Sequence, residues 1–151
     1  MSTHSNATGT YSIREASRLT GLPSSTLRYY ETVGIVRPVQ RGQTSKHRAY
    51  SQSDIDMLDT IACLNATGMK LDDMKAYIAN ASQGTVDAYE QVSLLKAQQD
   101  RLDEEERHIK LRKEYVGIKI EYWKAYERKD EKKVHEIASR ARQLAKDLKK
   151  V

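Results

Sequence analysis

From Tyr11 onward the chain lays down short apolar stripes, each ended by a glycine. Ile13, Ala16 and Leu19 recur at i, i+3 and i+6, and Gly21 follows where a helix should stop. Leu22 and Pro23 turn the chain, Ser24 or Ser25 stands in position to cap, and Leu27, Tyr30 and Val33 form the next stripe before Gly34 closes it. Two short helices joined by a glycine-containing turn predict a helix-turn-helix unit. With Leu27 and Tyr30 turned inward, Ser25, Arg28 and Tyr29 project outward from the second helix, and these residue types bond phosphates and base edges.

Ile35 to Gln40 and Arg48 to Ser51 are β-compatible, and the loop RGQTSKH between them suits a hairpin tip, so a wing is predicted. Arg41, Lys46, His47 and Arg48 make it cationic, four groups that a purely structural hairpin does not need. A solvated loop is the plain alternative, weakened by the helix-turn-helix beside it. Ser53 is expected to cap a helix that turns Ile55, Leu58, Ile61, Ala62 and Asn65 to one side and ends at Gly68. Asp72 and Asp73 then open another helix with Leu71, Met74, Tyr77 and Ile78 as its apolar side, and their charge suits its macrodipole. The ASQGT stretch at 81–85 marks the expected domain boundary.

Beyond Val86 there is no proline, and Leu95, Leu102, Ile109, Val116 and Trp123 recur every seven residues, with Val92 and Ile120 partly filling a second row. A seam this narrow needs a second helix to cover it, which makes these five the candidate dimerisation residues of a coiled coil. The run KAYERKDEKK interrupts the pattern, after which Val134, Ile137, Ala141, Leu144 and Leu148 begin a last amphipathic helix. The fold class is therefore mainly α. Its expected parts are a disordered start over 1–10, a winged helix-turn-helix head over 11–81, a coiled-coil arm over 86–127 and a terminal helix over 131–151.

Charge sharpens this division. The chain of 151 residues carries a formal net charge of +5. Residues 1–53 hold seven Arg and Lys against two acidic residues, whereas 54–151 hold nineteen of each. A basic head on a balanced body is the footprint of a protein in which one region approaches phosphates. No stretch approaches the roughly 18 consecutive apolar residues of a membrane span, no apolar signal region opens the chain, and Cys63 is the sole cysteine, so a cytoplasmic location without disulfides is expected. Nor does the sequence offer a nucleophile with its base, a Gly-rich phosphate loop or an HExxH helix, which argues against an enzyme and against a bound cofactor.

The run YSIREASRLTGLPSSTLRYYETVGIVRP, followed by RAY before the next helix, closely resembles the opening of MerR-family regulators, with TLRYYE at 26–31 as the specific element. The resemblance covers 11–81; beyond it the arm agrees in pattern and length and ends in the family-like KIEYWKAYE at 119–127. It implies a homodimer held by an antiparallel coiled coil, binding palindromic promoter DNA and distorting an over-long spacer so that RNA polymerase reads both promoter elements. Carried over residue by residue, it also makes Arg28 and Tyr29 recognition-helix contacts, Arg14 a first-helix contact, and Arg41, Arg48 and Tyr50 wing or wing-adjacent phosphate contacts. Lys46 and Ser25 complete the candidate DNA-binding set. One departure is that Pro23-Ser24 stands where the family often has Ser-Pro.

As to an effector, thiolate metal sensing needs two or more soft ligands, and no cysteine lies beyond position 63. His4, His47, His108 and His135 have no paired spacing, so no metal site is expected. The segment IACLNATGM resembles the aldehyde- and electrophile-responsive branch of the family, which makes Cys63 the sensor candidate. Its other reading is a buried small hydrophobe. At about 100° per residue, Cys63 falls beside Asp56, Asp59 and Thr60 rather than on the core stripe. An aromatic or apolar effector near Tyr122, Trp123 and Tyr126 is the alternative. From another class comes a helical adaptor whose basic head contacts an acidic protein instead of DNA.

Overall fold

The computed structural model describes residues 9–150, so the expected disorder of 1–8, and His4 with it, lies outside the described residues. The elements run β1 (Thr10–Tyr11), α1 (Ile13–Thr20), α2 (Ser24–Thr32), β2 (Tyr50–Ser51), α3 (Gln52–Ala66), α4 (Leu71–Ala81), α5 (Ala88–Glu127) and α6 (Glu131–Leu148). The chain is mainly helical, as its periodicities predict. It falls into two compact units, one ending at Leu94 and one beginning at Leu95. The division lies inside α5 rather than at the 81–85 loop. The reason is Gln91, whose side chain donates to the Tyr77 carbonyl at 2.9 Å and accepts from Asn80 at 3.2 Å, tying the first turns of α5 to α4.

In the first unit α1 begins with a capping box in which Ser12 and Glu15 satisfy each other's backbone N–H groups. It ends where Gly21 adopts φ 76°, a left-handed conformation that costs glycine nothing. Its buried side is Ala16 and Thr20; Leu19, expected in the stripe, is 48% exposed. Helix α2 starts after Pro23 with no side-chain cap, so neither Ser24 nor Ser25 caps it. Leu27 and Tyr30 of α2 meet Ala16, Leu58, Ile61, Met74 and Ile78 in one buried core. Helix α3 is capped by Ser51 with Asp54, two residues before the expected Ser53, and Asn65 at its far end is exposed.

The wing departs most from expectation. Ile35 to Gln40 does not form a strand, because its donors are used elsewhere: Ile35 and Val36 N–H donate to the Tyr30 carbonyl, Val39 N–H to the Glu31 carboxylate, and Pro38 has none. What remains of the hairpin is one antiparallel bridge between Arg41 and Arg48, with Ala49 N–H donating to Gln40 at 2.8 Å. The strand at Tyr50 instead pairs antiparallel with the start of the chain, Thr10 opposite Ser51 and Tyr11 opposite Tyr50. Thr10, placed in the disordered start by the sequence pattern, is thus part of the sheet.

The second unit holds the rest of α5 with α6. Ile118 and Ala125 of α5 pack on Ile137 and Ala141 of α6, with Tyr115, Tyr122, Val134 and Leu144 at the margin. The terminal stripe therefore buries against the arm of its own chain. Arg140 and Glu121 pair across these helices at 3.1 Å, an exposed pair that adds little stability. No helix among the described residues is long and apolar enough to cross a membrane.

Candidate nucleic-acid interface

Helix α2 presents one face to the core and the opposite face to solvent. Leu27 and Tyr30 anchor it, so Ser25, Arg28 and Tyr29 are exposed, as the helical spacing requires. The Tyr29 ring lies 6.2 Å from that of buried Tyr30, tilted by 43°. Arg14 is exposed on α1, and so is Arg18 one turn later. Arg18 shares the exposed side of α1 with Arg14 through their i, i+4 spacing.

The wing supplies the second set of cations. Lys46 and His47 are exposed at its tip, with Lys46 held at φ 59° where the chain reverses. Arg41 keeps 43% of its side chain open, whereas Arg48 keeps only 20%. Glu31, at the end of α2, explains the difference. Its carboxylate accepts from Arg48 Nε at 2.7 Å and from Val39 N–H at 3.3 Å, and Arg41 comes within 3.8 Å. Burial alone would raise the Glu31 carboxyl, but the Arg48 and Val39 hydrogen bonds and the charges of Arg48 and Arg41 outweigh it and hold the group below the usual carboxylate range.

Two of the expected contacts sit differently from the others. Arg48 donates its Nε–H to Glu31 and so joins the wing to α2, keeping a fifth of its side chain open. Tyr50 is 1% exposed and its ring belongs to the core, so it presents no hydroxyl at the surface. Its strand pairing with Tyr11 turns the side chain inward. Burial pushes the Tyr50 hydroxyl up from its ordinary value, so it stays a neutral donor, and the charges of Arg48, Glu31, Arg41 and Arg28 all act on it. Arg28 of α2 and Arg41 and Arg48 of the wing thus all lie close enough to act on the buried Tyr50 hydroxyl. Sequence reasoning passed over Glu31, because an acidic residue is not sought on a surface meant for phosphates.

Cys63 is exposed and lies off the core side of α3, as its helical angle predicts. The arm residues Leu95, Leu102, Ile109, Val116 and Trp123 are all exposed, together with Val92 and Ile120. Trp123 stands edge-on between Tyr122 and Tyr126, at 5.1 and 5.5 Å. Tyr122 and Tyr126 also line an open cleft of about 680 Å³ between the end of α5 and α6, together with Val134, His135, Ala138 and the charged Glu127, Lys129 and Glu131; Trp123 takes no part in it. Among the described residues no three His, Cys, Asp or Glu side chains gather as a metal site.

Residues 11–81 match the model of the MerR HTH family regulatory proteins. The chain is 38% identical over 68 residues to the uncharacterized HTH-type transcriptional regulator YyaN of Bacillus subtilis, an alignment covering 45% of this chain and 49% of that protein. It is 30% identical over 92 residues to the HTH-type transcriptional regulator AdhR of the same organism, covering 61% of this chain and 65% of AdhR. The matched part thus spans from just under half to just under two thirds of these relatives. Among solved structures, HiNmlR, a MerR family regulator lacking the sensor domain and bound to promoter DNA, superposes with a TM-score of 0.61 at 26% identity, covering 78% of this chain and 93% of that one. These relatives are transcriptional regulators, not enzymes.

Proposed function

We propose, because residues 11–81 match the model of the MerR HTH family regulatory proteins, that the protein is a transcription regulator of that kind that binds promoter DNA as a homodimer through α2 and the wing. The observation that carries this reading is the outward face of α2, where Ser25, Arg28 and Tyr29 stand exposed over a packed core. Beside them the wing adds Arg41 and Lys46, and α1 adds Arg14. HiNmlR, of similar fold, is described bound to promoter DNA. The exposed seven-residue seam of α5 supports a second copy as the arm's partner, because a solvated stripe of Leu95, Leu102, Ile109 and Val116 leaves apolar area to be covered. On this reading the dimer acts in the cytoplasm by deforming an over-long promoter spacer for RNA polymerase, and it controls rather than performs chemistry.

Footprinting on the DNA flanking the protein's own gene tests the reading. Protection of a palindrome, weakening steeply with salt, is expected, and Arg28→Ala should weaken it by about 1–3 kcal/mol. An adaptor with an acidic protein partner would leave no sequence-dependent protection at physiological salt.

For the inducer, the reading is addition of the Cys63 thiol to a reactive electrophile such as an aldehyde. Its support is access: the thiol is exposed rather than packed in the core. A response in vivo that survives Cys63→Ser would remove the thiol mechanism and leave DNA binding intact. The cleft at Tyr122 and Tyr126 favours a second reading, an aromatic or apolar effector held in the arm. Loss of response in Tyr126→Ala but not in Cys63→Ser would select it.

A further inference from the structure

The body of the chain, balanced in charge as a whole, is not balanced along its length. Residues 54–130 hold twelve Lys and Arg against sixteen acidic residues, and 131–151 hold seven against three. The excess is also sorted to one side of α6. With Ile137 and Ala141 packed on α5, a step of about 100° per residue puts Lys132, Ser139, Arg142, Lys146 and Lys149 on the side away from that contact, and all five are exposed. Glu131 stands at the edge of this stripe, while Glu136 and Asp147 lie off it, on the flank that carries Arg140.

The helix itself does not account for these cations. Arg140 pairs with Glu121 and Lys150 with Asp147, but among the described residues Lys132, Arg142, Lys146 and Lys149 have no ion-pair partner. Lys146 and Lys149 suit the negative end of the helix dipole. Lys132 stands in the first turn, where the dipole opposes it, and Arg142 lies too far from the end to gain.

The make-up of the stripe selects its partner. From Lys132 to Lys149 the helix rises about 25 Å, room for several successive phosphates of one DNA strand at about 3.4 Å each. A lipid surface would need an apolar side to bury, and that of α6 is taken up by α5. Protein interfaces gather aromatic anchors and leave lysine out, whereas this stripe has no aromatic residue and carries Ser139, a type that bonds phosphate, at its middle.

We propose that this face of α6 is a second DNA-binding surface, which holds the phosphate backbone of a duplex without regard to sequence. The choice of DNA as partner rests on the reading of the head; the residues are separate from α2 and the wing.

Fluorescence anisotropy with a duplex of arbitrary sequence, from about 50 to about 200 mM salt, tests it on the full-length protein. Arg142→Gln/Lys146→Gln should lower the salt slope by about two for each copy engaged. Arg128→Gln/Lys133→Gln removes the same charge from exposed positions off the stripe and should change the slope by less than half as much. Glutamine keeps helix propensity, and each variant must retain the parent's circular dichroism. Ser139→Cys in a Cys63→Ser background, labelled with an azidophenacyl group, should photocrosslink to the duplex; should a double variant lose its fold, this crosslink decides. A parent-like slope in Arg142→Gln/Lys146→Gln, an equal fall in both double variants, or no crosslink would overturn the proposal. So would an unchanged slope accompanied by lost sedimentation with phosphatidylglycerol vesicles, which would put a lipid surface in the place of DNA. Protection of a palindrome and its loss in Arg28→Ala are scored separately, so a failure of the head's reading and a failure of the stripe give different results.

Discussion

Glu31 and Arg48 meet at 2.7 Å, a carboxylate at the end of α2 receiving a guanidinium N–H from the wing. The bond crosses 17 residues of sequence and joins two parts that both point cations outward. It fixes wing to helix with a negative charge, on a surface whose partner would itself be negative.

The substitution Glu31→Gln therefore separates two effects of opposite sign. Charge alone predicts tighter DNA binding once an anion is removed. The geometry predicts the reverse, a several-fold weaker complex, because Arg48 and Arg41 lose their anchor. Fluorescence anisotropy with an operator duplex reads the sign directly, and tighter binding by the variant would show that Glu31 does not position the wing.

Acid should loosen the head through the same group. The folded Glu31 carboxyl lies below its unfolded value of about 4.5, so the unfolded chain takes up the proton first. The stability it contributes is complete above that value and is lost as pH falls through the lower, folded one. Thermal unfolding between pH 6 and pH 3 should show the gap between parent and Glu31→Gln narrowing over that window.

Lys46, exposed at the wing tip, should act as a phosphate contact without sequence preference. Lys46→Ala is expected to weaken specific and nonspecific duplexes alike and to reduce the salt slope by about one. A loss confined to one sequence would mean that the wing reads bases.

The arm seam predicts assembly. Leu102→Asp places a charge in the middle of the exposed stripe, and sedimentation velocity should move from dimer to monomer while the spectrum of the head is retained. A variant that stays dimeric would locate the interface elsewhere.

Loss of the α3 cap should be felt by the whole head. Ser51→Ala removes the acceptor for the Asp54 N–H and is expected to cost about 1 kcal/mol, read as a lower denaturation midpoint with unchanged slope.

Local rules were enough for much of this. Gly21 at φ 76° ends α1 where an achiral residue was needed, and Leu27 with Tyr30 orient α2 so that Arg28 and Tyr29 face out. The seven-residue spacing of α5 likewise placed a stripe that the structure leaves exposed. What local pattern did not carry were the distant pairings. Tyr50 turns inward because its strand pairs with Thr10 and Tyr11, and Arg48 is engaged because Glu31 reaches it across the fold. The backbone donors of Ile35, Val36 and Val39 go to α2, so a β-compatible composition there makes no strand. Ser51 and Ser53 satisfy the same capping preference, and only the Asp54 geometry selects the first.

Gln91 carries a practical consequence for anyone recombining such proteins. A graft that exchanges the long helix at the 82–87 loop would cut its first turns away from Tyr77 and Asn80, leaving the recipient head with unmatched groups on α4. A splice after Leu94 keeps those bonds with the head they serve, so the transferable cassette begins about two turns inside a helix, where no break in the backbone advertises it.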